Sequence, residues 1–146
     1  MRTKVLPLFL MVMFAFSVAQ PIFASDPQLE DTKIADKYGN PLKDIVANAG
    51  ETIELQARLY WLYYTVDDSK PVWIPQVVRY LDFYVYKVNA NGTNGDLVWS
   101  DTAVTNFFTA NANPDAFTLE KGNYRLFVKY DGSLKPCNAT AKITIR

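Results

Sequence analysis

The chain has 146 residues, with 15 basic and 15 acidic side chains, no histidine and a single cysteine. A domain of this length buries roughly two thirds of its unfolded surface, so it needs neither a disulfide nor a structural metal to hold its core. The charge balance argues against a nucleic-acid partner, which selects a basic face. Without histidine and with only Cys137, the chain lacks a zinc ligand set and an intramolecular disulfide.

Residues 1–24 read as a secretory signal. Arg2 and Lys4 give a basic start, and Leu6 to Val18 is an apolar run broken only by Pro7 and Ser17. Ser17-Val18-Ala19 and Ile22-Phe23-Ala24 each place a small residue at a cleavage point, of which Ala24 is favoured; the alternative is an uncleaved anchor. The run is short for a membrane span. No cysteine follows the cleavage points to carry a lipid, and no second apolar run follows. The expectation is therefore a secreted chain, possible surface association included, with no membrane span after cleavage. Cleavage leaves thirteen bases against fifteen acids, a net charge of −2.

Residues 25–32 form a polar lead-in, expected to be flexible, and residues 33–146 form the domain. Lys33 to Tyr38 suggests an edge strand, followed by a Gly39-Asn40-Pro41 turn. Asp44 to Ala49 suggests a second short strand. Glu51 to Trp61 alternates, with Ile53, Leu55, Ala57, Leu59 and Trp61 on one face and Thr52, Glu54, Gln56, Arg58 and Tyr60 on the other. A period of two excludes a helix there. Leu62 to Pro75 breaks the pattern, with Asp67-Asp68 at its middle and Pro71 and Pro75 near its end. It reads as a long loop or irregular hairpin.

Gln76 to Ala90 is the longest strand candidate. Val77, Leu81, Phe83 and Val85 are assigned inward, which leaves Tyr80, Asp82, Tyr84 and Tyr86 outward. A turn at Asn91 to Asp96 leads to a partner strand over Leu97 to Thr105. Asn106 to Pro114 is a polar connection containing Phe107 and Phe108, and Ala116 to Leu119 leads onward. The last part is the most regular. Tyr124, Leu126, Val128 and Tyr130 alternate with Arg125, Phe127 and Lys129; after a turn at Asp131-Gly132-Ser133, Cys137, Ala139, Ala141, Ile143 and Ile145 alternate with polar residues. Cys137 thus reads as a small core residue. Seven or eight strands without a helix imply an all-β, antiparallel β-sandwich.

Leu119-Glu120-Lys121-Gly122-Asn123-Tyr124 fits L-x-x-G-x-Y, a spacing that in immunoglobulin-like folds places a tyrosine just after a turn, where its hydroxyl caps a nearby backbone group. Gly50-Glu51 before Leu55-x-Ala57-x-Leu59, then Phe83-Tyr84-Val85-Tyr86, a Gly-rich hairpin, Thr105-Asn106, Tyr130-Asp131-Gly132-Ser133 and the final alternating strand complete the pattern. From about Gly39 to Arg146 this order resembles the bacterial and archaeal immunoglobulin-like (Big-like) domains repeated in cell-surface and adhesin-like proteins. The resemblance implies an immunoglobulin-like sandwich with an adhesion, spacer or envelope role. It brings no catalytic residues. The chain departs from the family in its single unit, its long 62–75 segment, and Phe107-Phe108 where a glycine usually follows the Thr-Asn turn.

No catalytic constellation is expected, and no cofactor is implied. Asp67-Asp68 is the only adjacent acid pair and reads as solvated charge. With Asp82, Asp96 or Asp101 it is a weak calcium candidate, since no EF-hand-like spacing is present. Asn91-Gly92-Thr93 and Asn138-Ala139-Thr140 match the N-glycosylation acceptor. The aromatics are more numerous than one core consumes. Tyr63, Tyr64, Trp73, Tyr84 and Tyr86 are the candidate binding residues, with three readings: core filling or strand preference, an interface with a cell-surface protein, or stacking on an envelope polysaccharide.

Overall fold

The computed structural model describes residues 31–64 and 70–146. The signal segment, residues 25–30 of the lead-in and the Asp67-Asp68 pair lie outside the described residues.

The fold is a β-sandwich of eight strands. β1 (Asp31–Ala35), β3 (Arg58–Tyr63) and β4 (Val72–Pro75) form one sheet, in the order β1-β3-β4. β2 (Ile45–Ala47), β5 (Tyr80–Val88), β6 (Asn94–Val104), β7 (Gly122–Tyr130) and β8 (Cys137–Ile145) form the other, in the order β2-β8-β7-β5-β6. All strand pairings are antiparallel except β2 on β8, which is parallel. There is no helix among the described residues.

Period-two alternation builds the core. Leu81, Phe83 and Val85 of β5 are at most 1% exposed, so the aliphatic parity faces inward as the sequence suggested. Tyr124, Leu126, Val128 and Tyr130 of β7 and Ala141, Ile143 and Ile145 of β8 join them. The facing layer supplies Ile34, Leu59, and Ile53, Leu55 and Ala57 from the segment ahead of β3. Each large apolar side chain fully buried this way contributes roughly 1.5–3 kcal/mol.

Several boundaries differ from the sequence reading, each for a local reason. Asp31 and Thr32, assigned to the lead-in, begin β1: Thr32 is buried, and its hydroxyl donates to the Lys135 carbonyl at 2.5 Å. The alternating segment at 51–57 touches its neighbour only at two isolated bridges, Ile53 to Phe117 and Ala57 to Ala112. Regular pairing starts at Arg58. Tyr60, expected outward, is buried because its hydroxyl reaches the Asp36 carbonyl at 2.9 Å and the 36–40 turn folds over it. The presumed loop at 62–75 contributes Leu62 and Tyr63 to β3 and all of β4. Its prolines are compatible with a strand because β4 is a sheet edge.

Strand β5 begins at Tyr80 rather than Gln76, so Val77, assigned inward, lies ahead of the strand and is exposed. Val78 has φ 54°, a left-handed conformation that a β-branched residue adopts at a cost of about 1–3 kcal/mol. Thr105 holds it there. The Val78 N–H donates to the Thr105 carbonyl at 2.8 Å, and the Arg79 N–H to its buried hydroxyl at 2.9 Å.

Candidate functional site

The outer face of the five-stranded sheet is where candidate residues converge. Residues paired across strands share a face, which places Tyr84 beside Phe127 of β7 and Ser100 of β6, and Tyr86 beside Arg125. The Tyr84 and Tyr86 rings stack at 6.3 Å and 26°, and Phe127 lies 6.4 Å from Tyr84. Asp82, Thr102 and Lys129 form the next row, continued by Asn138 and followed by Thr140 beside Phe127. The result is a half-buried aromatic strip, laid flat on an open sheet and bordered by hydroxyl, amide and charged groups. The sequence does not single out Phe127, which stands alone between two bases; only its register opposite Tyr84 brings it into the strip.

The other three aromatic candidates lie elsewhere. Trp73 pairs with Leu62 on the three-stranded sheet, and the Lys33 ammonium sits 4.4 Å from its ring centroid while donating to the Gly39 carbonyl at 3.0 Å. One face of Trp73 is therefore already covered by a cation. Tyr63 shares the inward parity of β3 with Trp61 and stacks on it at 6.4 Å. Tyr64, just past the strand, is partly exposed. Of the remaining aromatics, Trp99 stacks on Phe117 at 4.1 Å and closes the edge of the core. The five candidates thus divide between two sheets and do not form one site.

The turn before β7 is built around Tyr124, whose hydroxyl donates to the Glu120 carbonyl at 2.9 Å. Leu119 is buried beside it. Burial raises the Tyr124 pKa, and the Glu120 charge adds to the rise. Substituting phenylalanine removes one hydrogen bond while keeping the ring, so Tyr124→Phe is expected to lower stability by about 1 kcal/mol in urea denaturation.

Asn91 is exposed at the tip of the β5–β6 turn, its amide oxygen accepting the Thr93 hydroxyl at 2.6 Å; Asn138 is exposed on β8. The acids do not gather. Asp82 lies on the outer face, with its carboxylate accepting the Thr102 hydroxyl, whereas Asp101 has the opposite parity and accepts the Asp115 N–H at 2.8 Å. Among the described residues there is no group of three acidic, histidine or cysteine side chains placed to hold a metal ion. Cys137 is half-buried, and desolvation pushes its thiol pKa up. That setting disfavours a thiolate nucleophile.

Phe107 and Phe108, 68% and 91% exposed, meet edge to face at 5.4 Å on the 106–111 connection. The Asn106 side chain fixes this turn by accepting the N–H groups of Phe108 and Thr109 at 2.8 and 3.1 Å.

No family model matches the chain, and no curated protein is significantly similar to it. Fold and surface therefore define its class: a β-sandwich with one aromatic sheet face that no other element covers among the described residues.

Proposed function

We propose that this chain is a secreted or cell-surface immunoglobulin-like domain with a non-catalytic binding or structural role, as an adhesion or envelope component. The Tyr84–Tyr86–Phe127 strip carries the reading. Flat aromatic side chains offer contact area at small entropic cost, and a polar border supplies orientation. The partner is a cell-surface protein. A second reading, a carbohydrate-binding module, draws on the same rings, since the apolar face of a sugar stacks on them while Thr102 and Asn138 accept or donate at the border.

Co-sedimentation with the producing organism's envelope tests both. Retention is expected for the unaltered protein, with at least a tenfold weaker association for Tyr84→Ala and Phe127→Ala. Retention that survives removal of envelope polysaccharide supports a protein partner, whereas loss on removal replaces it with the carbohydrate reading. Undiminished binding by both variants would sink the sheet face as the contact surface.

A further inference from the structure

Two anomalies meet at one end of the five-stranded sheet. The first is the left-handed backbone at Val78, held in place by Thr105. The second is the next side chain. Arg79 Nε is buried, and among the described residues it has no hydrogen-bond partner and the guanidinium's only bond is from Nη1 to the Ser133 hydroxyl at 3.2 Å. Among the described residues it makes no ion pair, although Asp82 and Asp131 line the same concavity. Backbone strain and an unsatisfied buried donor are each uncommon in native folds and concentrate at functional sites.

The concavity has a volume of about 420 Å³ and lies between the start of β5 and the β7–β8 turn. Both walls are braced. On one side Thr105 fixes the Val78–Arg79 backbone. On the other, the buried Tyr130 hydroxyl accepts the Leu134 N–H at 3.1 Å and pins the turn that carries Ser133. Tyr80, 69% exposed, stands at the rim.

We propose that this cleft binds the carboxylate of an acidic saccharide, a uronate. The buried Nε is out of a ligand's reach, so a carboxylate meets the guanidinium at its terminal Nη1 and Nη2 nitrogens, in two-pronged geometry. The two acids in the same cleft repel a doubly charged ion such as phosphate more than a single carboxylate, and they accept hydrogen bonds from the hydroxyl donors that a uronate also carries. Asp131 is offset by Lys129 at 2.5 Å, and Asp82 already accepts the Thr102 hydroxyl at 2.6 Å with its other oxygen left to accept from a ligand. The exposed Tyr80 ring gives the flat apolar surface that a pyranose stacks on. The site adjoins the Tyr84–Phe127 strip through Asp82 but does not require that strip to bind anything.

The test is a nuclear magnetic resonance titration of the protein with an oligogalacturonate, compared with the matching neutral oligosaccharide, inorganic phosphate and a peptide with a free C-terminal carboxylate. The oligogalacturonate is expected to shift the amides of Val78 to Asp82 and of Gly132 and Ser133, at least tenfold more tightly than the other three probes. Arg79→Lys, which keeps the charge but loses the fork, is expected to weaken it at least tenfold, and Tyr80→Ala similarly, with the remaining amide spectrum unchanged. Equal response to neutral sugar or phosphate overturns the assignment. So does tighter binding of the peptide, unaltered affinity in both variants, or no shift at millimolar oligogalacturonate. The readout is local to the cleft, so failure of envelope sedimentation through the aromatic strip leaves it standing, and the converse also holds.

Discussion

Phe83→Ala is expected to destabilise the domain by about 3–5 kcal/mol, seen as a lower urea midpoint at unchanged slope. The size follows from position. Phe83 is 1% exposed at the centre of β5, between Asp101 of β6 and Val128 of β7, and belongs to the cluster that joins both layers. Truncation removes an aromatic ring and leaves a cavity walled by strands that are hydrogen-bonded on both sides and cannot collapse inward. A domain has only about 5–15 kcal/mol in total, so this one change removes a large share of it. Tyr84→Ala, one position along, is the internal control. Its ring lies on the outer face, and its loss is expected to cost about 1 kcal/mol or less. Similar losses for the two variants would contradict the inward parity of β5.

The second large effect is expected from a smaller change. In Gly132→Ala the added methyl falls 2.6 Å from both Cε2 and Cζ of Tyr130. Tyr130 is 2% exposed and hydrogen-bonded through its hydroxyl to the Leu134 N–H, so the ring has no room to swing away. The turn must shift instead, at a cost of about 1–3 kcal/mol. Gly92→Ala separates this clash from glycine's conformational freedom. Gly92 has φ +81° but nothing within 4 Å of the added methyl, so its substitution carries only the left-handed penalty of about 1 kcal/mol. Thermal unfolding of the two variants side by side reads the difference. A Gly132→Ala protein as stable as Gly92→Ala would show that the β7–β8 turn yields freely.

Much of this architecture could be read in the sequence because strands with one wet face carry a visible period. β7, β8 and β5 as far as Val85 alternate without interruption, and their inward residues are the ones the alternation marks. The failures cluster where backbone pairing and pattern part company. Ile53, Leu55 and Ala57 alternate and are buried, yet pair with neighbours at only two points, because the chain opposite them at 112–117 is irregular. β4 escaped because its prolines resemble a loop until its edge position is known. The surface was less legible. Tyr84 and Tyr86 declare themselves by their spacing, but Phe127 joins them through the β5–β7 register, and Lys33 reaches Trp73 from two strands away. The Arg79 cleft has no sequence signature, since it depends on a left-handed valine and on a turn more than fifty residues later.

The parallel placement of β2 on β8 has a mechanical consequence. Ile45, Val46 and Ala47 lie against Ile143, Thr144 and Ile145, and the pairing is extended by bonds of 3.0 Å from the Ala49 N–H to the Arg146 carbonyl and from the Arg146 N–H to the Ala47 carbonyl. The two strands run in the same direction. Tension applied between the 36–44 connection ahead of β2 and Arg146 after β8 therefore slides one past the other, and all the bonds of the patch bear the load together. An antiparallel terminal pair pulled in the same way would open bond by bond from one end, like a zipper.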